Sequence, residues 1–341
     1  MPIEIESVRV LEGPNIHYPQ GGVAARLSAG DDIRDELARA IKTWAQSVGL
    51  IIGYLRLKAA PAGDRVAIDV SYTCNHPGLG AGLLSGAVAD LEAAERGDED
   101  YSHDDALFDL RRRRMREDPT LPLLQLRAEA QGRDLPTLAV GDGTLQIGTG
   151  ARSWRFDPSG LSLGMSVSPP WAEIGNAPLV AVGGRGARAA AERIAAALGQ
   201  TVANVAAVPA GGFDAIRGSM LDQSAEAIVV ALDDQATLQR GLPFNRCLVG
   251  VVLGLDGLPE DEALAAGLPA LVADVKGAAL LLSTDRRSAA LAQRTAAAVI
   301  SLAPGQPPAS AHGAPQAPAA SPLVAATIAA VQELLDESVA G

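Results

Sequence analysis

The sequence predicts an α/β protein in two parts: an α+β N-terminal domain, then a domain with a mainly parallel sheet flanked by helices. Three observations carry this. Residues 3–10, "IEIESVRV", alternate apolar and polar, the period of a strand with one buried face. From residue 179 the pattern changes to short apolar segments between helical ones: "PLVAV", "AIVVAL" (227–232), "CLVGVVLGL" (247–255), "ALLLST" (279–284) and "AVISLA" (298–303). Apolar strands separated by helices mark a parallel sheet covered on both faces. The chain has 341 residues, 48% of them hydrophobic, enough for about two domains. Aromatic residues are only 3%, so the cores are expected to be built from Ala, Val and Leu.

The elements follow in order. "EGPN" after the first strand is a turn, with Pro fixing φ and Asn tolerating the left-handed region. "GGVAARLSA" (21–29) is a second strand. Residues 31–46 form an amphipathic helix, capped by Asp31 or Asp32, with Ile33, Leu37, Ile41 and Trp44 on one face. "VAIDVSYT" (66–73) is a strand, and residues 77–97 a helix ending at Gly97. Residues 98–105 are an acidic loop, followed by the charged helix "ALFDLRRRRMRED". Residues 135–158 read as a hairpin turning at or near Asp142-Gly143. "SLGMSVSPPWAEIGNAP" is a linker, so the boundary is expected near 165–178. The expected organisation is a domain at 1–165, a domain at 178–303, a Pro/Ala-rich linker at 304–321 and a terminal amphipathic helix at 322–341.

Net charge is −12, with a pI near 4.8. An acidic balance disfavours nucleic acid and anionic membranes as partners. The two cysteines, Cys74 and Cys247, lack metal-ligand spacing and read as small core residues of a reducing compartment. No basic-then-apolar leader is evident, and no apolar run reaches the ~20 residues a spanning helix needs, so a cytoplasmic location is expected. His17, His76, His103 and His312 fall far apart in expected loops, and no metal site is expected from them. No GxSxG nucleophile context occurs.

The stretch 180–198, "VAVGGRGARAAAERIAAAL", is the most suggestive. It reads as strand, glycine-rich turn and helix, the layout in which backbone N–H groups surround a phosphate. Gly183, Gly184 and Gly186 supply that backbone, with Arg185 between them. A phosphate loop also needs a lysine and a metal-binding hydroxyl. Here Arg188 stands near the lysine position, followed by alanines. Arginine is longer and shaped for bidentate pairing, so it is no simple replacement. The turn reads either as a packing device or as a weak anion site through Arg185 or Arg188.

Residues 178–198 resemble the opening of a Mur-ligase central domain. Residues 227–254 resemble the next block of the same domain, most closely as it occurs in cyanophycin synthetases. The shared positions are Val229, Leu238, Gly241, Leu242, Phe244, Arg246, Cys247 and "VGVVL" (249–253). "GAALLLSTDRRSAALAQRT" (277–295) is similar to a third block. The N-terminal part resembles the same enzymes at "VRVLEGPNIHYPQGGVAARL", at "VSYTCNHPGLGAGLLSGAVADL" and at "LPTLAVGDGTLQIGTGARSWRF".

The departures bear on function. The family's ATP-grasp segment is replaced by about a dozen residues, and no C-terminal Mur domain is matched. The loop lysine becomes Arg188 and the following threonine Ala189. The metal-associated glutamate becomes Ala231, "DGLPE" (256–260) carries no histidine, and the base-facing asparagine becomes Ser283, while Asp285 remains. A ligase of this type must hold Mg²⁺·ATP to offset the charge moved in transfer. The resemblance therefore implies a non-catalytic relative, with no catalytic residues, cofactor or metal. Its implied role is to bind a cyanophycin-like polymer or an active cyanophycin synthetase as scaffold or regulator, with assembly as a homo-oligomer. The alternative is an ATP-dependent amino-acid or peptide ligase with a rebuilt or partner-completed site.

One further candidate is the run "RRRRMR". Arg111, Arg112, Arg113, Arg114 and Arg116 cannot share one helix face. They read as a solvated helix paired to the acidic loop, or as a docking patch for an acidic partner or polymer.

Overall fold

The computed structural model describes residues 2–98, 100–141, 143–160, 167–282, 284–302 and, nearer the carboxyl end, 325, 328 and 329. The expected linker at 304–321 and most of the expected helix at 322–341 lie outside the described residues. So do Asp142, Ser283 and His312. The chain divides into two compact units: Met1–Pro119 with Gln239–Gly241, and Thr120–Leu238 with Leu242–Gly341.

In the first unit, β1 (Glu4–Leu11), β2 (Gly22–Ala29), β3 (Ile52–Ala62) and β4 (Arg65–Cys74) form an antiparallel sheet in the order β1-β2-β4-β3. The helices are α1 (Arg34–Val48), α2 (Pro77–Arg96) and α3 (Asp104–Glu117). The core joins Leu27, Ile68 and Tyr72 of the sheet to Leu37 and Ile41 of α1 and Leu83 of α2. The expected cap of α1 is corrected. Ile33 occupies the N-cap without a side-chain hydrogen bond, while Asp32, one residue earlier, accepts the Arg34 backbone N–H at 3.3 Å and pairs with the Arg34 guanidinium at 2.8 Å. Gly49 and Gly97 end α1 and α2 with φ of 77° and 63°, the left-handed closure glycine permits.

Trp44 of α1 is buried and donates from Nε1 to Asp90 Oδ2 at 2.7 Å. It lies against Gly86 of α2, where a Cβ would come within 2.5 Å of the indole. Asp90 also accepts from the Tyr101 hydroxyl at 3.0 Å, and His103 Nδ1 stands 3.6 Å away. Burial and this bond push the Tyr101 phenol up to about 12. The segment leading into α3 is thereby tied to the core. Residues 239–241 complete this unit, with the Glu12 N–H donating to the Arg240 carbonyl at 2.8 Å and the Glu12 carboxylate meeting Arg240 Nη2 at 2.6 Å.

The second unit opens with α4 (Leu121–Gly132) and a small antiparallel sheet of β5 (Thr137–Ala139), β6 (Leu145–Ile147) and β7 (Trp154–Phe156). The expected hairpin is thus three strands, and Gly143 has φ 89°. Trp154 stacks on Phe156 at 5.1 Å, and Arg133 lies 4.8 Å over the Trp171 ring. Leu126, Ala130, Leu135, Ile147 and Ile174 form one buried cluster. That packing binds residues 120–160 to the segment expected to be a linker, so the units divide at Pro119/Thr120 rather than at 165–178.

The rest of this unit is β8 (Leu179–Gly184), α5 (Ala187–Leu198), β9 (Val205–Gly211), α6 (Phe213–Leu221), β10 (Ala227–Leu232), α7 (Asp234–Arg240, whose end belongs to the first unit), β11 (Cys247–Leu253), α8 (Glu260–Leu271), β12 (Ala273–Leu282), α9 (Arg286–Ala292) and β13 (Ala298–Leu302). The strand order is β13-β12-β11-β8-β10-β9, and every described pairing is parallel. Val182, Val229, Val251 and Leu280 of the strands pack with Ile194 of α5, and Ile328 also rests against this cluster. Among the described residues, no helix is long and apolar enough to cross a membrane.

The chain runs from β8 to the β9–β10 side and later returns to the β11 side. β8 is therefore the switch point of the sheet, where ligands of open α/β folds sit beyond the carboxyl ends of the strands. The glycine-rich turn follows β8 directly.

Candidate functional site

Gly183, Gly184 and Gly186 owe their identity to backbone geometry. A Cβ on Gly183 would lie 2.1 Å from the Ala266 carbonyl oxygen of α8, and one on Gly184 would lie 1.7 Å from that of Leu253 in β11. Gly184 and Gly186 have φ of 90° and 84°. Gly186 is the N-cap of α5 and offers no side-chain bond. Gly183 and Gly184 let β8 approach α8 and β11 closely, and Gly186 is held by its positive φ.

The arginines of the turn are engaged. Arg185 Nη2 donates to the Gly257 carbonyl at 2.9 Å, so its side chain lies over the loop that follows β11. Arg188 Nε pairs with Glu192 one helical turn away at 3.2 Å. Ala187, Ala190, Ala191, Ile194 and Leu198 form the buried stripe of α5.

The same loop is fixed from below by Asp285. This buried carboxylate accepts backbone N–H bonds from Leu255, Asp256, Arg287 and Ser288, capping α9 and holding residues 255–256 at once. Burial alone would raise its proton affinity. The four N–H donors outweigh that and hold the carboxyl below its ordinary range. Arg287 adds a bond to the Leu258 carbonyl at 2.8 Å. The aspartate of the third block thus has a mechanical role that its sequence context did not reveal.

One acid near the carboxyl ends of the strands was missed. Asp234, in the first turn of α7, has its Oδ1 buried with no hydrogen-bond partner among the described residues. Burial, with Glu262 and Asp233 nearby, raises its pKa to about 6. Two consecutive aspartates directly after an apolar strand were the available signal. Among the described residues, no group of three His, Cys, Asp or Glu is placed to hold a metal ion.

The opposite end of the sheet carries a cleft of about 820 Å³, lined by the first residues of several strands, among them Leu179, Ile228 and Cys247. Its charged groups are of both signs. Arg246 Nη1 bridges Asp134 at 2.9 Å and Asp274 at 3.4 Å, and Glu226 accepts the Ala203 N–H. Arg152 and Lys276 are exposed and have no side-chain partner among the described residues. The cleft therefore offers two uncommitted cations beside an apolar floor. Cys247 beneath it is buried, and burial pushes its thiol well up, as it does for buried Cys74, so neither is a ready nucleophile.

The arginine run is split by its helix. Arg111 Nε donates to the Ser47 carbonyl at 2.7 Å and Arg114 Nη1 to that of Val48 at 3.0 Å, both in the last turn of α1, where cations favour the helix dipole. Arg114 also pairs with Asp118 at 3.3 Å. Arg112, Arg113 and Arg116 have no ion-pair partner among the described residues. No described bond joins the run to the acidic loop, because two of its arginines are drawn to α1 instead.

The profile of a family described as a domain of unknown function (DUF4938) matches residues 2–302. No curated protein matches the chain.

Proposed function

We propose, for a chain that belongs to the DUF4938 family over residues 2–302, a non-catalytic binding protein related to the cyanophycin synthetases. It holds a charged peptide-like polymer, or docks on an active synthetase as scaffold or regulator. The observation that supports this most is the Arg185–Gly257 bond, which ties the cation of the turn to the neighbouring loop, above Gly183 and Gly184 packed tightly against the backbone of α8 and β11. A phosphate cradle needs free N–H groups and an uncommitted cation at that place. The cleft at the other end of the sheet supports the binding half of the reading. Its free Arg152 and Lys276 suit the carboxylates that an Asp-backbone polymer carries.

Calorimetry tests it. Cyanophycin segments are expected to give heat, and Mg²⁺·ATP none. The double variant Arg152→Glu/Lys276→Glu is expected to lose the polymer heat. Polymer binding unaltered by that variant, or Mg²⁺-dependent ATP binding, overturns the reading.

Asp234 favours the second reading, an ATP-dependent ligase with a rebuilt site. An uncommitted, partly buried acid beyond the strand ends is what a metal–nucleotide complex would use. Under that reading Asp234→Asn abolishes Mg²⁺·ATP binding, and under the first there is none to abolish.

A further inference from the structure

Helix α3 is fixed on its inner side. Leu110 is buried in the first unit's core, Arg111 and Arg114 hold the end of α1, and His76 lies between Glu117 at 3.8 Å and Asp118 at 3.2 Å. The outer side is different. Asp105, Phe108, Asp109, Arg112, Met115 and Arg116 recur at helical spacing, and all six are exposed. Phe108 is 68% and Met115 80% exposed, large apolar groups with nothing described over them.

The charges on this stripe are segregated. The acids are at its beginning and the bases at its end. Asp105 and Asp109 are like charges at (i, i+4), and so are Arg112 and Arg116. Such pairs weaken an isolated helix. None of the four has an ion-pair partner among the described residues. The ends of the stripe suit the helix dipole, but its like-charge pairs do not suit each other, and its segregated charges complement those of a second copy laid antiparallel. Two copies of α3 laid antiparallel about a two-fold axis set Asp105 opposite Arg116 of the second copy and Asp109 opposite Arg112 of the second copy. Symmetry makes each pairing twice. The same register brings Phe108 of each helix towards Met115 of the other, covering both.

We propose that α3 is a self-complementary docking surface, and that a second copy of this chain occupies it in antiparallel register. One helix pair of this length covers less than a standard interface, so the association is weak and salt-sensitive.

The experiment is sedimentation equilibrium of the full chain with two charge variants. One is Arg112→Asp/Arg116→Asp, whose stripe is all acidic. The other is Asp105→Arg/Asp109→Arg, whose stripe is all basic. All three proteins are checked for the same circular dichroism. Wild type is expected to dimerise at about 100 µM, and each variant alone to dimerise at least about tenfold more weakly. An equimolar mixture of the two variants is expected to recover wild-type association, which lost folding or a merely solvated face would not give. A monomeric wild type, variants that associate as well as wild type, or a mixture that stays monomeric each overturn the proposal.

Discussion

Arg185 reaches across the loop after β11 and donates to the carbonyl of Gly257 at 2.9 Å. The bond uses an exposed side chain, so its own share in stability is small. The glycines beneath it are another matter, and the two contributions separate by mutation. Arg185→Ala is expected to cost less than about 1 kcal/mol. Gly184→Ala is expected to cost at least about 2 kcal/mol, because it adds a Cβ at φ 90° and 1.7 Å from the Leu253 oxygen. Urea titration of both variants checks the order. A reversed order would mean that the arginine, not the backbone, holds the turn.

Asp285 should be costly to replace. Asp285→Asn keeps one acceptor oxygen but turns an amide towards N–H groups that the second oxygen had satisfied. About 2 kcal/mol of loss is expected. The pH dependence has a definite sign. The folded pKa is lowered, so the stabilisation is present above the unfolded value of 3.8 and is lost as pH falls through the folded one. Acid titration of stability should therefore be shallower below about pH 4 in Asp285→Asn than in wild type. Parallel acid limbs would exclude the assigned role.

Asp234 acts in the other direction. Its folded pKa is raised to about 6, so ionisation costs stability as pH rises from 3.8 through that value. Asp234→Asn is expected to stabilise the fold above pH 6 by about 1 kcal/mol, after allowing for its partial exposure, and to be neutral below pH 4. Thermal melts at pH 4 and pH 7.5 decide this. Destabilisation at pH 7.5 would show that the carboxylate has a partner.

In helix α2, Gly86 reverses a common rule. Glycine to alanine inside a helix ordinarily gains up to about 1 kcal/mol. Here the methyl would stand 2.5 Å from the Trp44 ring, which is held by its bond to Asp90. Gly86→Ala is expected to lose about 1–3 kcal/mol net. The exposed helical Gly78, with no atom within 4 Å of its Cβ position, is the matched control and should not lose stability.

Much of the architecture was legible. β8, β10 and β11 are short apolar runs because both faces of the sheet are covered, and that composition announces itself. β9 was not legible, since "VAAVPAG" carries a proline and only partial burial at an edge. β3 is likewise an edge strand, half exposed and ending in "APA". α8 hides behind Pro269 within its last turn. At the candidate site, the sequence pointed to the glycine turn, but periodicity carries no information on which carbonyl approaches a glycine. The arginine run looked uniform because adjacent arginines look alike in one dimension. A hundred degrees per residue sends Arg111 and Arg114 inwards and Arg112 and Arg116 outwards. The cleft joins residues too distant in sequence for any motif to mark it.

The indole of Trp44 has a practical consequence beyond packing. The chain has three tryptophans: Trp44 in the first compact unit, Trp154 and Trp171 in the second. Each meets different neighbours, a carboxylate, a phenyl ring and a guanidinium. Their emission is therefore a built-in two-channel optical reporter. With Trp44→Phe silencing one channel and Trp154→Phe/Trp171→Phe the other, fluorescence melts of the two variants compared show whether the two units lose their structure together or in succession.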